Sequence, residues 1–332
     1  MNIPRRTLIA SLLAAAALPA LAAAPAADAW KPNRPIRVVV PFGPGGASDI
    51  IARLIQPALT EALGTAVVVE NRAGAAGNIA MEAVAKSPPD GYTVFLGNIS
   101  TSAINQWTYA GQLSIEPLRD LVAVSMIARV PGALTSSTKF PPNTVKELVE
   151  YVKKNPGKVN HTSAGAGSYA MLDMLVLERA NGLEMVHVPY KGGAGQFITG
   201  LVSGEVELAF TNVSSASELV KSGRLKALAV TSAERVPELP NVPTMTEAGF
   251  PGIGTDAWQG FFVPAGTPQP VVARLHEATS KVLAQPAIRE AMLKRLVVPS
   301  PSASPAEFSG FVAAETARWG KIVAENKAAL SN

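Results

Sequence analysis

The stretch IRVVVPFGPGGASDII, residues 36–51, joins a strand to a helix through a short turn. Ile36–Val40 is an apolar-rich run of strand length, and residues 41–46 supply three glycines and two prolines. From Ile50 onward, apolar residues recur at helical spacing until Gly64. The same alternation continues along the chain, and strands separated by helices indicate parallel sheets covered on both faces. The sequence therefore predicts an α/β fold.

The alternation of strands and helices falls into two series. The second series follows residue 130, and the chain then returns through a strand at residues 258–263 and three helices. A chain of 332 residues is long enough for two ordinary domains. We predict a first domain of residues 30–130 and 255–332, a second of residues 131–254, and a ligand cleft between them.

The first 29 residues have the layout of a secretory signal peptide. Arg5 and Arg6 precede an apolar run at residues 7–21, and small residues follow up to Ala29. This run is shorter than the roughly 20 residues that a membrane-spanning helix needs. We expect export to the periplasm, by the general or the twin-arginine route, and cleavage near Ala29.

The composition excludes several classes of protein. Hydrophobic residues make up 48% of the chain and charged residues 16%, which is not the composition of a disordered protein. The net charge of +4 is not concentrated in a basic arm or stripe, so we expect no nucleic-acid partner. The chain has no cysteine, which excludes disulfides and thiolate metal sites.

The sequence also offers little that would support catalysis. None of its three histidines, His161, His187 and His276, belongs to a metal-binding spacing, and it contains no nucleophile elbow and no P-loop. We therefore predict no catalytic residue, no metal and no cofactor. A secreted hydrolase is the alternative, with Ser168 as its nucleophile, although no histidine lies near Ser168 in the sequence.

Two glycine-rich turns predict sites for an anion. The turn at residues 42–49 leads directly into a helix, where free backbone N–H groups and the helix dipole favour negative charge. The turn at residues 163–169 has the same pattern in the second half of the chain. The charge of Asp49 would repel an anion, so Asp49 caps the helix, holds a water or faces away. In the alternative interpretation of this turn, Ser48 and Asp49 only cap the helix.

The candidate ligand-binding residues share one location. They follow predicted strands or lie in the turns behind them, where open α/β sheets bind ligands. They are Phe42, Gly43, Gly46, Ala47, Ser48, Asp49, Asn78, Asn98, Ser100, Thr101, Ser163, Ala164, Gly167, Ser168, Tyr169, Tyr190, Thr211 and Asn212.

Long motifs along the chain resemble those of one protein family. They are KPNRPIRVVVPFGPGGASD at residues 31–49, VENRAGAAGNI at 69–79, VHVPYKG at 186–192 and VPTMTEAG at 242–249. In these motifs the chain is similar to the Bug-type receptors of tripartite tricarboxylate transporters, and the resemblance covers essentially the whole mature chain.

The resemblance implies a fold, a function and partners. It implies a two-domain periplasmic binding protein of the Venus-flytrap type, with the first domain completed by C-terminal helices. It implies a monomer that captures a small organic carboxylate without a cofactor and delivers it to integral membrane permease subunits. The turn at residues 42–49 would hold the carboxylate, and the turn at 163–169 would close over it. A receptor that presents its ligand to a membrane sensor kinase is the alternative, because its ligand site would be the same.

Three departures from the family pattern bear on the ligand. The family often has a serine-rich turn and a histidine where this chain has Tyr169, Ala170 and Met171, and often an aspartate where it has Thr211. Gly43 replaces the first of two paired prolines. We hypothesise that amino-acid ligands are disfavoured, because no acid at position 211 can pair with an amine. We also hypothesise that Tyr169 stacks on an aromatic or apolar ligand body.

Overall fold

The computed structural model describes residues 30–165 and 167–326 of the chain. The predicted export segment, residues 1–29, lies outside the described residues. Across the described part, strands and helices alternate as the sequence predicts. The strands are β1 Ile36–Val40, β2 Val67–Asn71, β3 Thr93–Asn98, β4 Leu121–Val130, β5 Gly132–Ser137, β6 Asn160–Ser163, β7 Val186–Pro189, β8 Leu208–Asn212, β9 Leu225–Val230, β10 Ala257–Pro264 and β11 Val298–Pro299.

Most helices of the described chain connect one strand to the next. They are α1 Ala47–Leu63, α2 Asn78–Ala85, α3 Asn105–Thr108, α4 Pro117–Asp120, α5 Val145–Lys154, α6 Tyr169–Asn181, α7 Ala194–Ser203, α8 Val213–Lys221, α9 Gln269–Ala284, α10 Pro286–Leu293 and α11 Pro305–Glu325. A 3₁₀ turn at Ala75–Gly77 precedes α2, and a π-helical turn at Ser100–Ile104 precedes α3. Asn98 ends β3, and the chain continues from it almost directly into this helical turn. No helix in the described part is long and apolar enough to cross a membrane.

The strands form two sheets. The first has the order β11-β4-β10-β3-β1-β2, and the second has the order β7-β6-β8-β5-β9. Only β1, β2 and β3 in the first sheet, and β6, β7 and β8 in the second, pair in parallel. The strands β4, β5, β9, β10 and β11 pair antiparallel to their neighbours. The predicted α/β class is confirmed, but the sheets are mixed rather than parallel. The strands on either side of the two passages between the sheets, β4, β5, β9 and β10, run antiparallel to their neighbours.

The chain crosses between the sheets twice. It leaves the first sheet at Val130, the end of β4, and begins β5 at Gly132. It returns between the end of β9 and the start of β10 at Ala257. We call the first sheet with its packed helices the first lobe, and the second sheet with its helices the second lobe. The crossings lie beside the predicted boundaries at 130 and 255, although the domain boundaries themselves stay a prediction.

The C-terminal helices pack on the first lobe. Phe308 and Trp319 of α11 are buried in one cluster with Trp258 of β10, and the rings of Trp258 and Phe308 meet edge to face, 5.7 Å apart. α9 packs beside α1 and β4. The chain that returns from the second lobe therefore completes the core of the first.

Helix α6 contributes to the cores of both lobes. Met174 and Leu177 are buried in the second lobe, whereas Met171, Leu172 and Leu175 are buried in a cluster built mainly from the first lobe. A helix with apolar residues around its whole circumference is buried on all sides. α6 therefore lies at the junction of the two lobes.

Hydroxyl groups connect α6 to the two crossings. Thr231 Oγ1 accepts a hydrogen bond from Gly132 N at 2.9 Å and lies 2.9 Å from Asp256 Oδ1. Thr255 Oγ1 donates to Asp173 Oδ1 of α6 at 2.8 Å. Asp173 Oδ2 has no partner among the described residues. The two crossings and α6 therefore share one polar network, and a buried carboxyl group lies at its end.

Burial raises the pKa of Asp173 to about 7, from an ordinary value of 3.8. The nearby charge of Asp256 acts in the same direction, whereas the hydrogen bonds from Thr255 and the charge of Arg318 oppose it. Between pH 3.8 and about pH 7, this carboxyl group is protonated in the native state and ionised in the unfolded state, so the native state binds more protons. The free energy of unfolding therefore falls as the pH rises through this range.

We predict that Asp173→Asn weakens this pH dependence. The variant has no carboxyl group to ionise inside the protein. Between pH 5 and pH 8 the unaltered protein should lose about 2 kcal/mol more unfolding free energy than the variant. Urea unfolding at pH 5, 6, 7 and 8 measures this difference. Glu218→Gln, which removes a carboxylate from the surface, is the control, and parallel pH profiles for Asp173→Asn and the unaltered protein would contradict the prediction.

Candidate functional site

A cavity lies between the two lobes. It measures about 530 Å³ with its mouth included. Most of the residues that line it come from the carboxyl ends of strands and the first turns of helices in both lobes, and two come from the amino end of the antiparallel strand β10. They are Phe42, Gly46, Ala47, Ser48, Asn98, Ser100, Ala164, Ser168, Tyr169, Ala170, Ala194, Phe197, Phe210, Asn212, Ala257 and Gln259.

The start of α1 forms one wall of the cavity. Gly46 is the N-cap of the helix, and Gly45 before it has a φ of 85°, which glycine adopts without strain. The N–H groups of Ala47 and Ser48 have no acceptor among the described residues, and both residues line the cavity. Free N–H groups and the helix dipole give this wall a positive partial charge.

Asp49 lies buried behind this wall, and hydrogen bonds occupy both of its oxygens. Asp49 Oδ2 accepts from Gly45 N at 3.0 Å, and Oδ1 accepts from Arg53 Nε at 2.8 Å and Asn71 Nδ2 at 3.0 Å. Asn71 Nδ2 also donates to the carbonyl of Phe42 at 2.9 Å. Of the three predicted roles for Asp49, the geometry matches facing away from the cavity: the carboxylate fixes the turn through Gly45 N, and Arg53 compensates its charge.

Two carboxamides of the first lobe lie side by side in the cavity. Asn98 of β3 and Gln259 of β10 are directly opposite each other in the antiparallel pair. Gln259 Oε1 accepts from Ser48 Oγ at 2.8 Å, and Asn98 Oδ1 accepts from Thr101 N at 3.1 Å. Neither amide nitrogen has an acceptor within the described chain. Both amides therefore have their oxygens engaged and their N–H donors free.

The second lobe supplies a third carboxamide. Asn212 ends β8 and lines the cavity, and its Oδ1 accepts from Tyr169 Oη at 2.8 Å. Burial raises the pKa of Tyr169, and the charges of Asp173 and Asp256 act in the same direction, so the hydroxyl stays protonated. The backbone N–H of Tyr169 donates to Ser100 Oγ of the first lobe at 3.0 Å. The start of α6 is thus tied to both sides of the cavity.

The remaining wall is apolar. Phe42 belongs to the first lobe, and Phe197 and Phe210 to the second, with five alanines between the polar groups. None of the lining residues carries a formal charge. No group of three or more His, Cys, Asp or Glu side chains suitable for a metal ion occurs in the described part.

Backbone contacts close the cavity on one side. Gly43 N donates to Gly192 O at 3.1 Å, across the two lobes. Gly195, in the first turn of α7, lies against the backbone of Pro44 so closely that a Cβ on Gly195 would overlap the Pro44 carbonyl oxygen. Glycines on both sides allow the two turns to meet.

Eight predicted residues lie outside the cavity wall, and four of these belong to the first lobe. Asp49 and Gly43 make the contacts described above. Asn78 Oδ1 accepts from Asn105 Nδ2, and Thr101 caps the turn after β3 through its bonds with Asn98. These residues hold the loops behind the wall.

The other four belong to the second lobe. Thr211 lies on the opposite face of β8 from Asn212, with its Oγ1 3.4 Å from Thr135 Oγ1, so an acid at this position would not reach the cavity. Gly167 packs against Asn105 and Tyr109, and Tyr190 packs against Gly200 of α7. Thr211, Gly167 and Tyr190 therefore do not line the cavity.

Ser163 is the fourth, and it contacts a histidine. Its Oγ lies 2.8 Å from His187 Nε2 and accepts from Gly165 N at 3.1 Å. Ser163 is buried and does not line the cavity. Ser168, the nucleophile of the hydrolase alternative, is instead the N-cap of α6 and donates to Gly165 O at 2.7 Å.

Six lining residues are missing from the sequence-based prediction. They are Ala170, Ala194, Phe197, Phe210, Ala257 and Gln259. Five of these are small or apolar and carry no local signal of binding. Gln259 is a polar residue within the apolar run WQGFFV, and this was a usable signal for a binding site on β10.

Comparison with known proteins gives one family and several solved structures. A family model for the tripartite tricarboxylate transporter family receptor matches residues 51–327. The periplasmic binding protein BugD is 34% identical, with a TM-score of 0.84 over 89% of this chain and 98% of its own. This likeness confirms the predicted two-domain binding-protein fold.

Two similar structures hold a ligand. MatC from Rhodopseudomonas palustris, with bound malate, is 33% identical, with a TM-score of 0.83 over 88% of this chain and 99% of its own. A second R. palustris protein, with adipate, is 34% identical, with a TM-score of 0.84 over 88% of this chain and 97% of its own.

We predict that Gly195→Ala disfavours the closed cavity. The added Cβ would overlap the Pro44 carbonyl, and relieving such overlap costs about 1–3 kcal/mol. Small-angle scattering should show a larger radius of gyration, and ligands held by the closed cavity should bind roughly tenfold more weakly. Gly310→Ala is the control, because a Cβ there meets no atom within 4 Å. A scattering curve for Gly195→Ala that matches the control would contradict the prediction.

Proposed function

The chain belongs to the tripartite tricarboxylate transporter receptor family, and we propose that it captures a small organic carboxylate in the periplasm. The cavity between the lobes would hold the ligand, and the loaded receptor would deliver it to a membrane transporter. Residues 1–29, with the pattern of a secretory signal peptide, support the periplasmic location, as does the likeness to the periplasmic protein BugD.

One observation carries the proposal: the polar part of the cavity wall offers hydrogen-bond donors and no carboxylate. Three carboxamides have their oxygens engaged and their nitrogens free, and the start of α1 adds backbone N–H groups. Donors aimed at one space favour a ligand that only accepts, and a carboxylate is such a group. Hydrogen bonds to an ionised acceptor are also stronger than those to a neutral one.

The same wall disfavours ligands that carry an amine. An ammonium group has donors and no acceptor, and no acidic side chain lines the cavity to pair with it. The hypothesis against amino-acid ligands therefore rests on Asn212 and Gln259 rather than on Thr211.

The apolar part of the wall suits a hydrocarbon segment. Phe42, Phe197 and Phe210 would contact the carbon chain of a dicarboxylate, and the similar proteins hold malate and adipate. Tyr169 remains a candidate for stacking on the ligand, since it lines the same cavity. We propose a compact dicarboxylate as the ligand class.

Binding can be tested with purified protein that has been unfolded and refolded to remove bound solutes. We expect succinate, malate or adipate to raise the melting temperature, and the corresponding diamides to leave it unchanged. A ligand at a hundred times its Kd should stabilise the protein by about 2.7 kcal/mol. Aspartate should bind more weakly than malate. If no carboxylate changes the melting temperature or gives a calorimetric signal, the proposed ligand class is wrong.

Delivery can be tested in cells. Deletion of the gene should abolish uptake of the labelled carboxylate found in vitro, and the full chain should restore it. The chain from Trp30 onward, without the export segment, should fail to restore uptake, because the receptor would stay inside the cell. Normal uptake in the deletion strain, together with loss of the transcriptional response to the carboxylate, would favour the sensor-kinase alternative instead.

A further inference from the structure

Two hydroxyl groups in the cavity make the same contact from opposite lobes. Ser48 Oγ lies 2.8 Å from Gln259 Oε1 in the first lobe. Tyr169 Oη lies 2.8 Å from Asn212 Oδ1 in the second lobe. All four residues line the cavity, and Ser48 and Gln259 are almost completely buried.

Each contact determines whether the oxygen or the NH₂ group of the amide is free to bind a ligand. A hydroxyl that donates to the amide oxygen engages that oxygen, and the NH₂ group then points away from the hydroxyl. Among the described residues, neither Gln259 Nε2 nor Asn212 Nδ2 has an acceptor. Neither nitrogen is among the fully buried atoms that lack a partner, so both donors are accessible to a ligand in the cavity.

We propose that Ser48 and Tyr169 are positioning residues that turn the amides of Gln259 and Asn212 toward the two ends of one dicarboxylate. This proposal rests on the proposed function. Gln259, together with Asn98 and the start of α1, would bind the first carboxylate in the first lobe. Asn212 would bind the second carboxylate in the second lobe. The hydroxyl of Tyr169 therefore acts on the second carboxylate alone, through Asn212.

Binding of the two ligand carboxylates depends to different degrees on the Ser48 and Tyr169 hydroxyls. In the first lobe, backbone N–H groups of α1 and the amide of Asn98 share the first carboxylate. In the second lobe, Asn212 is the one carboxamide of the wall. A ligand with a single carboxylate should occupy the first lobe and be insensitive to removal of the Tyr169 hydroxyl.

The test uses matched probes that differ at one end. Adipate, hexanoate and 5-aminopentanoate share four methylenes and one carboxylate, and succinate, butyrate and 3-aminopropanoate form a shorter set. Calorimetry with refolded protein gives the Kd of each. Tyr169→Phe keeps the ring and removes the hydroxyl, and we expect it to weaken the dicarboxylates roughly tenfold. It should leave hexanoate and butyrate within about twofold. Ser48→Ala should weaken the dicarboxylates and the monocarboxylates alike.

A double-mutant cycle separates positioning from direct contact. If Tyr169 acts through Asn212, Tyr169→Phe should have no further effect in protein that already carries Asn212→Ala. An undiminished tenfold effect in that background would overturn the proposal, as would equal losses for the dicarboxylate and its monocarboxylate partner in Tyr169→Phe alone.

Asn212→Asp should reverse the ligand preference, and a misfolded variant could not produce such a reversal. The aspartate still accepts from Tyr169, but it replaces the NH₂ donor with an ionised oxygen. We expect this variant to prefer 5-aminopentanoate over adipate, or 3-aminopropanoate over succinate, which reverses the preference of the unaltered protein. An unchanged preference for the dicarboxylate overturns the assignment of the second carboxylate to Asn212.

Measurements on control variants and on the unaltered protein distinguish a failure of the proposed function from a failure of this inference. Tyr151→Phe and Ser125→Ala remove hydroxyls outside the cavity wall and should bind all probes like the unaltered protein. If the unaltered protein binds no dicarboxylate, the proposed function and this inference both fail. If it binds, and Tyr169→Phe binds equally well, the inference alone fails.

Discussion

An anion can leave water only where other charges or dipoles replace its hydration. The cavity between the lobes meets this requirement with dipoles alone: a helix start in the first lobe and carboxamides in both. Dipoles act only at short range and in fixed directions, so the atoms that carry them must be held rigidly. Much of the structure around the cavity serves this purpose, from the Asp49–Arg53 pair behind α1 to the hydroxyls bonded to the amide oxygens.

This requirement also accounts for where the charged residues are. Asp49 is close to the start of α1, yet its oxygens face the turn and Arg53 rather than the cavity. Asp173 is buried in the polar network of the crossings, where Thr255 donates to it. Charged groups therefore shape the loops and the crossings, while the cavity wall itself stays neutral.

The sequence predicted the parts of the site that depend on local chain chemistry. A strand, a glycine-rich turn and a helix in direct succession define the start of α1, and the same signal locates the start of α6. Orientation within buried strands was harder to predict, because both faces of such strands are covered and carry similar residues. Thr211 and Asn212 are adjacent in β8, yet only Asn212 lines the cavity, since neighbouring side chains point to opposite faces. Phe197 and Phe210 escaped prediction for a related reason: an aromatic residue in a core and one in a cavity look alike in the sequence.

Helix α6 has a mechanical consequence. Because Met171, Leu172 and Leu175 are buried against the first lobe while the helix belongs to the second, separating the lobes exposes these side chains to water. Each such exposure would cost about 1.5–3 kcal/mol, so this apolar contact favours the arrangement in which the lobes are closed. Less of the ligand's binding free energy is then needed for closure, and ligand escape is slowed by the same apolar contact. Opening the cavity by separating the lobes would require these three side chains to leave the first core.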